Sequence, residues 1–68
     1  MTTEAIKTVV QRQPFRPFTV RLANGLQIQI LSHEHVAIHP DGKTFVIFEP
    51  AGGYRIVDIP LVTDISVN

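Results

Sequence analysis

The sequence predicts a mainly β domain, in which a short N-terminal helix is followed by a five-stranded small barrel. Three observations predict it. Apolar residues follow a helical spacing near the N-terminus, and they alternate with polar residues from Phe18 onward. Turn residues then recur about every eight to twelve positions. A chain of 68 residues fits one domain, so residues 1–68 are expected to form a single unit.

The helix is predicted over about residues 3–13. Thr2 or Thr3 can cap its N-terminus, and Pro14 stops it because the residue before a proline avoids the helical conformation. Its apolar face consists of Ile6, Val9 and Val10. A helix of this length is marginal by itself, so this face must dock on the sheet or on another subunit.

The segment Pro14–Phe18, PFRPF, is predicted to be a rigid elbow between the helix and the first strand. Its prolines hold the chain extended, and its phenylalanines anchor it on the core. Asn24-Gly25 is the strongest short hairpin signal in the chain. Five strands are predicted, over about residues 18–23, 26–38, 43–49, 53–59 and 63–67.

The third predicted strand carries the most information about function. Its residues Phe45–Phe48, FVIF, are all apolar, so both faces of the strand are apolar. Because a small barrel has one interior, the outer face of this strand must be covered by the helix or by another chain. A chain this small has a limited core, and it holds no cysteine for disulfides. We therefore expect a homo-oligomer that acts as a non-catalytic assembly or protein-binding module.

Composition argues against several classes of function. Six basic and six acidic side chains balance, which disfavours a general nucleic-acid binder. Without cysteine the chain has no thiolate metal site and no cysteine nucleophile. The N-terminus does not resemble a signal peptide, and no apolar stretch reaches the ~20 residues that span a membrane. The protein is therefore expected in the cytoplasm, with no membrane partner and no cofactor.

Two stretches carry a resemblance to a known family. They are FTVRLANGLQIQIL, residues 18–31, and IVDIPLVTDISV, residues 56–67. Together with the order of helix and strands, they resemble the Sm-like proteins, which include bacterial RNA chaperones with an SH3-like small barrel. The resemblance implies a ring of subunits that binds RNA, and this is the alternative function. The positions that match the family's RNA-reading residues hold Val57, Asp58 and Ile59 in this chain.

A second resemblance begins at Pro14, in the stretch PFRPFTVRLANG. The pattern PF-x-PF-x-V-x-L-x-x-G resembles a set of short uncharacterised bacterial proteins. This likeness implies a bacterial source and carries no function.

Four residues are the candidate contacts of the assembly surface: Arg16, Arg21, Phe48 and Tyr54. The arginines lie close in sequence to phenylalanines, and interleaved basic and aromatic residues also suit RNA. The same phenylalanines match the apolar face of the first strand, which favours a place in the core.

A weaker candidate is a metal site formed by His33 and His35. If this segment is extended, both side chains lie on the same face of the strand, where a pair of histidines can ligate zinc. The alternative is that both are solvated surface residues.

Overall fold

The computed structural model describes residues 1–67, and residue 68, the last of the predicted domain, lies outside the described residues. One helix, α1 (Thr3–Val10), precedes six strands. The strands are β1 (Phe18–Leu22), β2 (Gln27–Ile30), β3 (Val36–Ile38), β4 (Thr44–Phe48), β5 (Tyr54–Asp58) and β6 (Val62–Val67). Two short 3-10 helices, His33–His35 and Ile59–Leu61, connect β2 to β3 and β5 to β6.

The six strands form two three-stranded sheets in which all neighbours are antiparallel. Sheet 1 has the order β2-β1-β6, and sheet 2 has the order β3-β4-β5. The predicted five-stranded barrel, whether SH3-like or Sm-like, is therefore wrong, because within residues 1–67 the two sheets do not close into a barrel.

The predicted second strand, residues 26–38, is interrupted, and this interruption separates the sheets. Ser32 Oγ accepts a hydrogen bond from the Glu34 N–H at 3.3 Å. The His35 N–H donates to the Ser32 carbonyl at 3.0 Å, which closes a 3-10 turn. The chain leaves the edge of sheet 1 at this turn and enters the edge of sheet 2 as β3. One long bent strand is thus replaced by two short strands in different sheets.

The core lies between the inner faces of the sheets, and no polar side chain among the described residues is buried in it. Its largest fully buried side chains are Phe18, Phe45, Ile6, Ile30, Ile47, Ile59 and Val20. Phe15 is half-buried, and its ring centroid lies 5.9 Å from that of Phe18. The PFRPF connector is thus held against the core by both of its phenylalanines.

Helix α1 ends at Val10 rather than at about residue 13. Its N-terminus is capped by Thr2, whose Oγ1 accepts the Ala5 N–H at 3.2 Å. Ile6 is the helix residue that enters the core, with 1% of its surface exposed. The N-terminal amino group donates to the Val62 carbonyl at 3.3 Å, which holds the start of the chain against β6.

The turn between β1 and β2 is built around Asn24-Gly25. Gly25 has φ +89°, a conformation that favours glycine. Its N–H donates to the Leu22 carbonyl at 2.9 Å, and the Leu22 N–H donates to the Leu26 carbonyl at 2.9 Å. The Asn24 side chain accepts the Leu26 N–H at 2.9 Å. These bonds set the register of the whole β1–β2 ladder.

Candidate functional site: the outer face of sheet 2

The outer face of sheet 2 is apolar. In β4 the buried residues alternate with residues that point away from the core, and β5 has one buried residue, Val57, between two exposed ones. Among the outward residues, Val46 lies opposite Ile56. Phe48 lies opposite Tyr54, and Ala37 of β3 lies on the other side of Val46. These five residues are called the apolar face below.

Three large side chains of the apolar face are exposed to solvent. Phe48 is 45% exposed, Tyr54 65% and Ile56 66%. The rings of Phe48 and Tyr54 pack at a centroid distance of 6.5 Å with an interplanar angle of 51°. At roughly 200 Å² for each aromatic side chain, these exposures leave about 200 Å² of ring surface in water, before Ile56 is added. Helix α1 therefore leaves the outer side of this sheet uncovered.

The outer face of sheet 1 has the opposite character. Arg21 Nη1 donates to Asp64 Oδ2 at 2.8 Å and to Ser66 Oγ at 3.3 Å across the β1–β6 ladder. The neighbouring outward positions hold Thr19, Gln27 and Gln29. The outward positions of this face are therefore polar, and Arg21 joins two of its side chains by hydrogen bonds. Both sheets have three strands, so the difference between their outer faces comes from the residues that each sheet places there.

The structure separates the four predicted contact residues. Phe48 and Tyr54 are neighbours on the apolar face, as described above. Arg21 lies on the outer face of sheet 1, where its guanidinium is engaged by Asp64. Arg16 is exposed in the connector that precedes β1. Basic and aromatic candidates therefore do not form one surface.

Ile56 is the exposed residue of the apolar face that sequence reasoning missed. The signal was present in the alternation of β5, because Ile56 lies two positions from Tyr54 and therefore on the same face of the strand.

The histidines do not lie on the extended strand that the predicted His33–His35 metal pair assumed. They belong to a 3-10 helix, in which residues two apart point in different directions. The His33 ring instead lies 6.1 Å from that of Phe15. Among residues 1–67, no group of three or more His, Asp or Glu side chains is placed to hold a metal ion.

An open groove of 460 Å³ lies beside β2. One side is formed by residues 26–29 and Leu31, and the other by residues 49–51 and Arg55. Arg55 Nε donates to Glu49 Oε1, so the charged wall of the groove is neutralised internally. The groove thus borders the free edge of sheet 1 and the turn between β4 and β5.

The turn before β4 carries the pKa shift that the structure indicates. Asp41 Oδ1 accepts the Lys43 N–H at 2.8 Å, and this hydrogen bond is the main cause that lowers the pKa of Asp41. The Asp41 N–H in turn donates to His39 Nδ1 at 3.1 Å. These bonds hold the turn in place, and they do not involve the apolar face.

Within residues 1–67 no helix has the length and apolar character needed to cross a membrane. Comparison of the chain with models of known protein families finds no match. Comparison with curated proteins and with solved structures finds no match either.

Proposed function

We propose that this chain is a non-catalytic assembly module that associates with a second copy of itself through the apolar face. The observation that carries the proposal is the contrast between the two outer faces. Sheet 1 presents hydrogen-bonded polar side chains to water, whereas sheet 2 presents Phe48, Tyr54 and Ile56. Exposed apolar patches of this kind mark interaction surfaces.

Charge supports a second copy as the occupant. The chain has six basic and six acidic side chains, so two copies do not repel each other at long range. The centre of the apolar face holds no charged residue. At one end of the face, Asp58 lies on β5 close to Lys43, whose carbonyl accepts the N–H of Ile59. A two-fold contact can therefore place opposite charges of the two copies side by side.

The size of the apolar face sets the expected strength of the contact. A stable interface buries about 800 Å² on each partner, whereas the exposed rings and Ile56 supply less than half of that. We therefore expect this contact between two copies to be reversible. Its dissociation constant should lie between roughly 10 μM and 1 mM, which corresponds to about 4–7 kcal/mol.

The test compares the wild type with Ile56→Lys by sedimentation equilibrium across that concentration range. Ile56 is largely exposed, so the variant should fold normally, and its charge should abolish association through the apolar face. Thr63→Lys is the matched control, because Thr63 is an exposed strand residue of sheet 1. We expect Ile56→Lys to lower the average mass while Thr63→Lys leaves it unchanged. Equal masses for all three proteins would refute the proposal.

The RNA-binding ring is not proposed, because it depended on the closed Sm-like barrel that the two separate sheets replace.

A further inference from the structure

Among residues 1–67, no strand pairs with the outer edge of β2, so some of its backbone groups have no strand partner. The Leu22 N–H bonds the Leu26 carbonyl next to the turn. Because hydrogen-bonded and non-hydrogen-bonded pairs alternate along an antiparallel ladder, Ile28 is bonded to β1. The N–H and C=O groups of Gln27 and Gln29 therefore point away from β1, toward the side where the groove lies.

This edge lacks the charged residues and the prolines that commonly protect an edge strand against pairing. Natural proteins guard exposed edges with charged residues, proline, bulges or very short strands. Residues 22–32 contain no Asp, Glu, Lys, Arg or His. The edge strand β5 carries Arg55 and Asp58, and the edge strand β6 carries Asp64. The remaining edge strand, β3, has only three residues.

We propose that β2 pairs antiparallel with β2 of a second copy, which joins the two copies of sheet 1 into one six-stranded sheet. With Ile28 opposite itself, Gln27 of each copy lies opposite Gln29 of the other. Each such pair exchanges two backbone hydrogen bonds. The glutamine side chains are both donors and acceptors, so the like-to-like arrangement involves no repulsion.

The groove beside β2 gives the incoming strand a surface on which to lie. Its far wall offers Pro50 and Ala51, and the Arg55–Glu49 pair adds no net charge. The same register brings Leu31, which is 52% exposed, alongside Gly25 of the second copy. Apart from Gly25 and its two chain neighbours, no heavy atom of the described residues lies within 4 Å of the position where a Gly25 side chain would begin. The exposed Leu31 side chain therefore has free space beside Gly25 of the second copy.

This second contact rests on the proposed assembly function but uses no residue of the apolar face. A chain with two separate self-pairing surfaces can assemble beyond a dimer. The two surfaces can therefore be removed one at a time.

The first test uses Gln29→Pro, which removes a backbone N–H that donates no hydrogen bond to β1. Gln29→Thr is the matched control, because it keeps this N–H. Proline is tolerated on an edge strand when its missing N–H faces outward. We expect assemblies larger than a dimer for the wild type and Gln29→Thr, and dimers for both Gln29→Pro and Ile56→Lys. The double variant should be a monomer. If Gln29→Pro and Gln29→Thr have the same mass, the edge contact is refuted, whereas the proposed function is refuted by an unchanged mass in Ile56→Lys alone.

A second measurement on the wild type does not depend on any variant folding. Amide hydrogen exchange is followed by NMR in dilute and in concentrated samples. The amides of Ile28 and Ile30 should be protected in both, because β1 holds them. Those of Gln27 and Gln29 should exchange at least about tenfold more slowly in the concentrated sample. Exchange at Gln27 and Gln29 that is independent of concentration would overturn the inference.

Discussion

Replacing Ile6 by alanine tests whether one helix side chain seals the core between the two sheets. Ile6 is 1% exposed and is the buried residue of α1. Burial of the lost carbon atoms contributes about 2.4 kcal/mol at ~0.8 kcal/mol for each methylene. The remaining cavity raises the total to about 3 kcal/mol, within the range of about 2–5 kcal/mol for such substitutions. The higher helix propensity of alanine offsets only a few tenths of a kcal/mol, roughly.

This loss is large for a chain of 68 residues. Domains are stable by about 0.05–0.15 kcal/mol per residue, which gives roughly 3–10 kcal/mol here. The assay is urea unfolding followed by far-ultraviolet circular dichroism. With a slope of about 1 kcal/mol per molar urea, the midpoint should fall by about 3 M. Measurement in the background of the Ile56→Lys and Gln29→Pro double variant, which is expected to be a monomer, keeps association from adding to the apparent stability.

Two further variants make the Ile6 result decisive. Ile6→Val removes one methylene group and should lower the free energy of unfolding by about 0.5–1.5 kcal/mol. Its stability can therefore be measured even if the alanine variant is unfolded in water. Thr8→Ala is the control, since Thr8 is exposed on the same helix and its loss should stay within about 0.5 kcal/mol. A midpoint shift of less than about 1 M for Ile6→Ala would show that the helix is peripheral and that the sheets seal the core without it.

Two other predictions concern turns. Gly25→Ala should destabilise the protein by about 1–2 kcal/mol, because φ is +89° at this position. The new methyl group meets no steric clash, so the cost comes from the backbone conformation. Gly25→Asn should cost less, and equal urea midpoints for the two variants would contradict this. Because the pKa of Asp41 is lowered on folding, its contribution is fully present above the unfolded value of about 3.9 and is lost as the pH falls through the lower folded value. Asp41→Asn should therefore show a smaller fall in melting temperature under acid, and parallel pH profiles would refute this.

The secondary structure was predictable from the sequence where residues close together in the chain determine it. The alternation after Phe18 and the Asn24-Gly25 turn place the first hairpin correctly, because both signals act within a few residues. The break after β2 was not predicted. His33, His35 and Val36 also fit an extended strand by alternation, while the Ser32 side chain closes a 3-10 turn on Glu34. A single capping hydrogen bond thus outweighed a longer but weaker periodic pattern.

The candidate site was predictable in part for the same reason. Four consecutive apolar residues in β4 indicate a strand with two apolar faces, whichever residues point outward. In β5, Ile56 and Val57 are equally apolar, and only the pairing of Val57 with buried Phe45 decides which of them faces the core. The ion pair between Arg21 and Asp64 could not be predicted from the sequence. The two residues are 43 positions apart and become neighbours only when β1 pairs with β6.

The replacement of a barrel by two open sheets changes which surfaces remain for assembly. A closed barrel has no free edges, so an exposed apolar face would be its main self-association surface, and association would stop at a pair. Two three-stranded sheets leave four edge strands: β5 and β6 carry charged residues, β3 has three residues, and β2 has four residues and no charged side chain. The break at Ser32 that made the barrel prediction wrong also ends β2 after four residues beside an open groove. An assembly that uses both the apolar face and this edge extends beyond two copies, which a chain with a closed sheet and a single apolar face would not do.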